Sequence, residues 1–239
     1  MKARTWVAAV LAAASWAAPK LYERFELAAM GYAVKGVDVS HYQGDIDWRA
    51  LRKSGVGFAY IKATEGANYR DPFFARNWRQ SREAGVPRGA YHFFTLCKTG
   101  AEQAANFIAT TPIEPGALPH ALDAEQIRRC RTGKPISDPA AEIKVFLDLT
   151  ERRYGRRPLI YTTRRFHETF LQGRLKKERF WLRNLFWTPR FRKKQWTLWQ
   201  YHHRGRRPGV EGPVDLDAFN GSRADFESFA SLQGGAWRR

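Results

Sequence analysis

From residue 36 onward the chain alternates short apolar runs with longer stretches whose apolar positions recur at helical spacing. The β-branched and aromatic runs at 36–40, 58–63, 87–94 and 158–162 read as strands, and 48–54, 73–84, 101–110 and 138–154 read as helices between them. A fourth strand runs through 118–126, before the helix at 138–154. Asp47 stands where the first helix needs an N-cap, and Gly85 and Gly155 stand where two helices need a left-handed C′ residue. Beyond Gln172 the rhythm changes: 180–185, 195–201 and 214–219 are strand-like with no helical pattern between them. A final helix over 222–232 is expected to pack outside. The pattern predicts an α/β fold, a distorted TIM-like barrel of about five βα units followed by about three β-strands. No internal repeat or low-complexity domain interrupts it.

The strand at 118–126 ends in Asp123 and Glu125. Side chains two apart on a strand share a face, with Cα atoms roughly 6.6 Å apart. Two acids so placed are either solvated side chains entering a loop or a paired-carboxylate site, in which one group keeps its proton beside an ionised neighbour. Parallel barrels gather chemistry at the C-terminal ends of their strands. Asp38 sits at that end of the first strand, and Asp215 and Asp217 lie on the last strand, which neighbours the first once the barrel closes. Acids from several strands around one mouth favour the site. Tyr42, Tyr91, Phe93, Tyr161, Trp181, Trp199 and Tyr201 lie at or near strand ends, where flat rings suit sugar faces.

The 239 residues, 44% hydrophobic, suffice for one large domain. A net charge of +18 draws the surface toward polyanions, either nucleic acid or an anionic cell envelope. Lys2 and Arg4 precede an apolar run from Trp6 to Ala18, so residues 1–18 read as a signal peptide or uncleaved signal anchor. The expected organisation is that signal, a lead-in over 19–35, a catalytic barrel over 36–232 and a tail over 233–239, in an exported monomer. Cys97 and Cys130 each lie just past a strand end; if those strands are neighbours a disulfide joins them, and otherwise they are free thiols. No zinc-type spacing or glycine-rich phosphate loop is present, so neither a metal nor a cofactor is expected. A nucleic-acid role would rest on charge alone, without a reading motif.

Read in order, the motifs are Asp38-Val39-Ser40-His41-Tyr42-Gln43-Gly44, Ile61-Lys62-Ala63-Thr64-Glu65-Gly66, Tyr69-Arg70-Asp71-Pro72 and Arg88-Gly89-Ala90-Tyr91-His92-Phe93-Phe94. Leu122-Asp123-Ala124-Glu125, Leu159-Ile160-Tyr161, Trp199-Gln200-Tyr201 and Val214-Asp215-Leu216-Asp217-Ala218-Phe219-Asn220-Gly221 follow. With these motifs, from residue 36 to about 230, the chain resembles the glycoside hydrolase family 25 lysozymes of bacteria and phages. The resemblance implies the same barrel and hydrolysis of the β-1,4 bond between N-acetylmuramic acid and N-acetylglucosamine in peptidoglycan. It places Glu125 as general acid, Asp123 as its ionised partner, and Asp38 and Asp215 as acids completing the site; Asp217, on the same face as Asp215 by strand alternation, is the reserve candidate and an expected substrate contact. Asp123 would either activate water or orient the substrate's N-acetyl group as nucleophile. Side-by-side placement of Asp123 and Glu125 favours N-acetyl assistance. The alternative is a catalytically silent glycan-binding scaffold on the same barrel.

Some residues carry plainer expectations. His92 reads as a packed barrel residue and Glu65 as an ion-pair partner of Lys62 as readily as a ligand contact. Arg183 departs from the family pattern, where a small residue is usual, and is a candidate contact to a carboxylate on muramic acid or its peptide stem. The basic clusters of the second half, such as 152–157 and 190–194, read singly as solvated faces and together as an attraction to anionic envelope polymers.

Overall fold

A computed structural model of the chain describes residues 26–125, 130, 135–185, 187–192 and 195–231. The expected signal, most of the lead-in and the tail lie outside the described residues. Chain order runs β1 (Lys35–Val39), α1 (Trp48–Lys53), β2 (Phe58–Glu65), β3 (Tyr69–Arg70), α2 (Phe74–Glu83), β4 (Arg88–Phe93), α3 (Gly100–Thr110) and β5 (Ala121–Ala124). It continues with α4 (Pro139–Tyr154), β6 (Leu159–Thr163), α5 (Arg164–Phe166) leading into a π turn (His167–Leu171), β7 (Phe180–Arg183), β8 (Leu198–Gly205), β9 (Val214–Phe219) and α6 (Arg223–Ser231).

Among the described residues the strands follow the order β1-β9-β8-β7-β6-β5-β4-β2-β3, and a β1–β2 pairing closes the sheet into an α/β barrel. β1, β2 and β4 to β8 run parallel, whereas β9 runs against both neighbours. A strand joined to β8 by a short connection, with no crossover helix, can only return antiparallel. Caps fall where the sequence asks for them: Asp47 accepts from the Arg49 and Ala50 amides, Asp138 from Ala141, and Gly155 takes φ 70°.

Strand alternation sorts the core into two layers. Val37, Ile61, Ala90, Leu122, Ile160, Leu182, Trp199 and Leu216 face outward and meet Phe107, Phe146 and Leu147 of the surrounding helices. Phe58, Tyr60, Ala121, Leu159, Trp181, Leu198 and Phe219 fill the interior. Gly89 makes room there: a Cβ on it would come within 2.5 Å of the Tyr60 ring, whose hydroxyl donates to the Pro119 carbonyl at 2.8 Å.

Three elements differ from the sequence expectation. The second strand does not stop at 63, because β2 runs to Glu65 and β3 folds back on it across a turn in which Gly66 takes φ 54°. β8 extends to Gly205 through a polar His-His-Arg run held by β9 across two register irregularities, which no hydrophobic alternation announces. α6 does not pack outside the barrel. It caps the floor, with Phe226 and Phe229 against Phe58 and Phe219, while Arg156 donates to the carbonyls of Phe229 and Ala230 at its C-terminus. Arg157 is likewise structural, bridging Asp148, Glu151 and Glu178. Cys97 and Cys130 are joined in a disulfide, Cα atoms 5.4 Å apart, tying the segments that follow β4 and β5.

Candidate active site

The C-terminal ends of the parallel strands open into a cavity of about 240 Å³. Asp38, Asp123, Glu125 and Asp215 line it together with Tyr42, Tyr91, Phe93, Tyr161 and Trp181. Registry explains the convergence: Asp38 faces Asp215 across the β1–β9 ladder, and Phe93, Asp123, Tyr161 and Trp181 are successive cross-strand partners on β4 to β7. All point inward at one level of the barrel.

Tyr42 reaches the mouth differently. Ser40 and Gln43 form a capping box around the short turn His41–Gln43, and the buried carboxylate of Asp71 accepts from the His41 amide at 3.0 Å and contacts its Nδ1 at 2.8 Å. The turn therefore holds Tyr42 out at 81% exposure, its ring centre 4.1 Å from that of His41 and tilted 36° to it.

Three expected contacts lie elsewhere. Trp199 and Tyr201 are fully buried on the outward face of β8, where Trp199 packs on Tyr32 and Trp196 and donates to the Asn184 carbonyl at 2.7 Å. Neither reaches the cleft, because β8 turns Leu198 and Gln200 inward and its odd-numbered neighbours out. Asp217 is inward but fully buried beneath the cavity, accepting from the Trp181 indole at 2.8 Å. It holds a ring of the cleft wall and cannot itself touch a ligand.

The same alternation brings in a residue that sequence reasoning passed over. Gln200 accepts from the Tyr161 hydroxyl at 2.9 Å and donates to Asp38 at 2.7 Å, and Tyr161 also stands 3.5 Å from Glu125. The signal for it was its position between two large aromatics on a strand. Lys62 and His203 also line the cavity. Lys62 is pinned by Glu65 at 2.7 Å and lies 4.9 Å from the Phe93 ring centre. Arg183 lines it too, its Nη1 3.6 Å from Glu125. His92 is fully buried between Thr64 and Gln103, and burial pushes its pKa down to about 3, so it stays neutral.

Burial dominates the electrostatics. It raises Asp38 to about 6 against the lowering hydrogen bonds from Gln200 and Asp217, and raises Asp215 to about 9, reinforced by the charge of Asp38. Asp217 is held well above the ordinary carboxylate range by burial and by Asp38. A proton on Asp217 directed at Asp38 also satisfies the buried Oδ2 that otherwise has no partner. Asp123 is likewise pushed well up, by burial and then by the charges of Glu125 and Asp38. Glu125 is raised by burial, while Arg183, Tyr161 and Lys62 pull it back. Burial thus raises both members of the pair. Asp123 is the deeper group and Glu125 has a cation beside it.

The model for glycosyl hydrolases family 25 matches residues 37–210. The chain belongs to this family. The chain is similar to protein YegX of Escherichia coli K12, 35% identical over 204 residues covering 83% of this chain and 74% of the relative. Lysozyme M1 of Streptomyces globisporus is 34% identical over 214 residues, covering 83% and 71%. Among solved structures, a family 25 glycosyl hydrolase from Bacillus anthracis superposes with a TM-score of 0.76 at 34% identity, covering 83% of this chain and 94% of that one. The family 25 barrel is thus a glycoside hydrolase scaffold, and the mouth just described is where its strand ends converge.

Proposed function

We propose that the chain is an exported lysozyme that cleaves the β-1,4 bond between N-acetylmuramic acid and N-acetylglucosamine in peptidoglycan. The observation that carries this reading is the cluster of buried, inward acids at one mouth of a family 25 barrel, walled by aromatic rings. Similarity to lysozyme M1 supports the substrate.

Glu125 is the general acid. It combines partial burial, which favours the protonated form, with enough exposure to meet a glycosidic oxygen. Asp123 has a buried Oδ1 without a partner among the described residues. That oxygen suits the N–H of a substrate acetamido group, and a hydrogen bond from it favours the ionised form of Asp123 against the burial that raises its pKa. Held this way, the acetamido carbonyl attacks the anomeric carbon as Glu125 protonates the leaving oxygen, and water then opens the cyclic intermediate. Asp38 and Asp215 face each other across the β1–β9 ladder, and Gln200 links Asp38 to Tyr161 and through it to Glu125.

The test is muropeptide release from purified sacculi by the chain beside Glu125→Gln, with new reducing ends identified by mass spectrometry. Muramic acid ends from the parent alone are expected. A folded parent that binds sacculi and releases nothing would point to the silent scaffold. The net charge of +18 adds attraction to anionic envelope polymers. Sacculus binding should weaken as salt rises, and a salt-independent affinity would remove that part of the reading.

A further inference from the structure

Arg183 ends β7 beside the acid expected to donate a proton. A guanidinium there lowers the proton affinity of Glu125, which opposes general-acid catalysis. The pair is loose: 3.6 Å is well beyond a charge-assisted hydrogen bond of about 2.8 Å, and Arg183 makes no hydrogen bond among the described residues. Its side chain is 33% exposed and Glu125 is 28% exposed, so both open to the cleft.

The surrounding groups leave Arg183 as the movable cation. Tyr161 from β6, Lys62 from β2 and Asp123 of its own segment face Glu125, and Lys62 is fixed on Glu65 with only 8% of its side chain exposed. Asp38 from β1, Asp215 from β9 and His203 from β8 feel the charge of Arg183. Burial and the neighbouring Arg183 and Arg204 lower His203, so it is neutral near pH 7 and supplies no substitute charge.

We infer that Arg183 is a substrate-operated counter-ion, which pairs with Glu125 and transfers to a carboxylate on the glycan's lactyl group or peptide stem when substrate binds. The inference rests on the lysozyme reading of the site. The planar guanidinium matches a carboxylate bidentately, a stronger contact than the loose one it leaves. Its departure lets Glu125 keep its proton in the complex, so a substrate lacking the carboxylate is both bound and protonated less well.

Soluble glycan chains in three forms test this: with peptide stems, stem-free after amidase treatment so that the lactyl carboxylate is exposed, and with all carboxylates converted to amides by carbodiimide and ammonia. Initial rates and pH profiles are taken for the parent, Arg183→Ala and Arg183→Lys. Amidation should lower kcat/KM of the parent about tenfold and leave Arg183→Ala unmoved, with Arg183→Lys between them. In Arg183→Ala the alkaline limb of kcat/KM, which reports the free enzyme, should move to higher pH while that of kcat on carboxylated glycan stays in place. Loss on stem removal assigns the partner to the stem, and loss only on amidation of stem-free glycan assigns it to the lactyl group. Equal loss on amidation in parent and Arg183→Ala overturns the inference. A parent that cleaves no form refutes the lysozyme reading instead.

Discussion

Gln200 on β8 donates its amide to Asp38 on β1 at 2.7 Å across the intervening β9, and its orientation is fixed because its Oε1 accepts from Tyr161 at 2.9 Å. The amide thus couples the floor of the cleft to the hydroxyl beside Glu125. Replacing the donor by a second acceptor should break this link. Gln200→Glu is expected to lower kcat by at least about tenfold with little change in the folded structure, since the lost contact is a hydrogen bond to a charged group. Reducing-end release beside circular dichroism measures both, and full activity in Gln200→Glu would remove Gln200 from the catalytic network.

Asp217 acts through Trp181. Asp217→Leu leaves a buried indole N–H without its acceptor, which costs about 1–3 kcal/mol in denaturant unfolding. It should also raise KM, because Trp181 walls the cleft. Asp217→Asn keeps an acceptor for the indole and should leave KM near the parent value. Equal KM effects from the two variants would show that the carboxyl acts other than by holding Trp181.

The buried acids make stability depend on pH. Asp38 at about 6 and Asp215 at about 9 bind protons more tightly when folded than at their ordinary values near 3.8. Between those limits the unfolded chain holds fewer protons than the folded one, so stability is fully present below about pH 4 for these groups and falls as pH rises. For Asp38 alone the loss by pH 8 is at most about 3 kcal/mol. Asp38→Asn and Asp215→Asn should flatten the alkaline decline in melting temperature. A decline of unchanged slope in both variants would trace it to other groups.

The disulfide closes a separation of 33 residues between segments that leave adjacent strands. Constraint of the unfolded chain by a loop of that size corresponds to about 3–4 kcal/mol. Cys97→Ala with Cys130→Ala should lose that much in urea unfolding. A loss below about 1 kcal/mol would mean that the rim segments are held by other contacts.

Much of the barrel was legible along the chain. β-branched runs, Asp47, Asp138, Gly85 and Gly155 mark strands and helix ends through local chemistry, which acts within a few residues. β3 and the far half of β8 were not, since one is a two-residue strand and the other a polar strand held by its neighbour. The placement of α6 under the floor depended on which apolar surface the closed barrel left open.

Side-chain direction alternates along any strand, so Asp123 and Glu125 share a face, Trp199 and Tyr201 share another, and Gln200 opposes the latter pair whatever the strand packs against. Which of those faces is the inside depends on how the strands pair and close. Pairing of β8 with β7 and β9 turned Gln200 into the cleft and the two aromatics toward the outer layer. Closure also raised these carboxyls, since desolvation comes from atoms packed around a carboxyl and not from its neighbours in the chain. Asp123, Asp217 and Glu125 differ in depth, and depth is a property of the closed barrel.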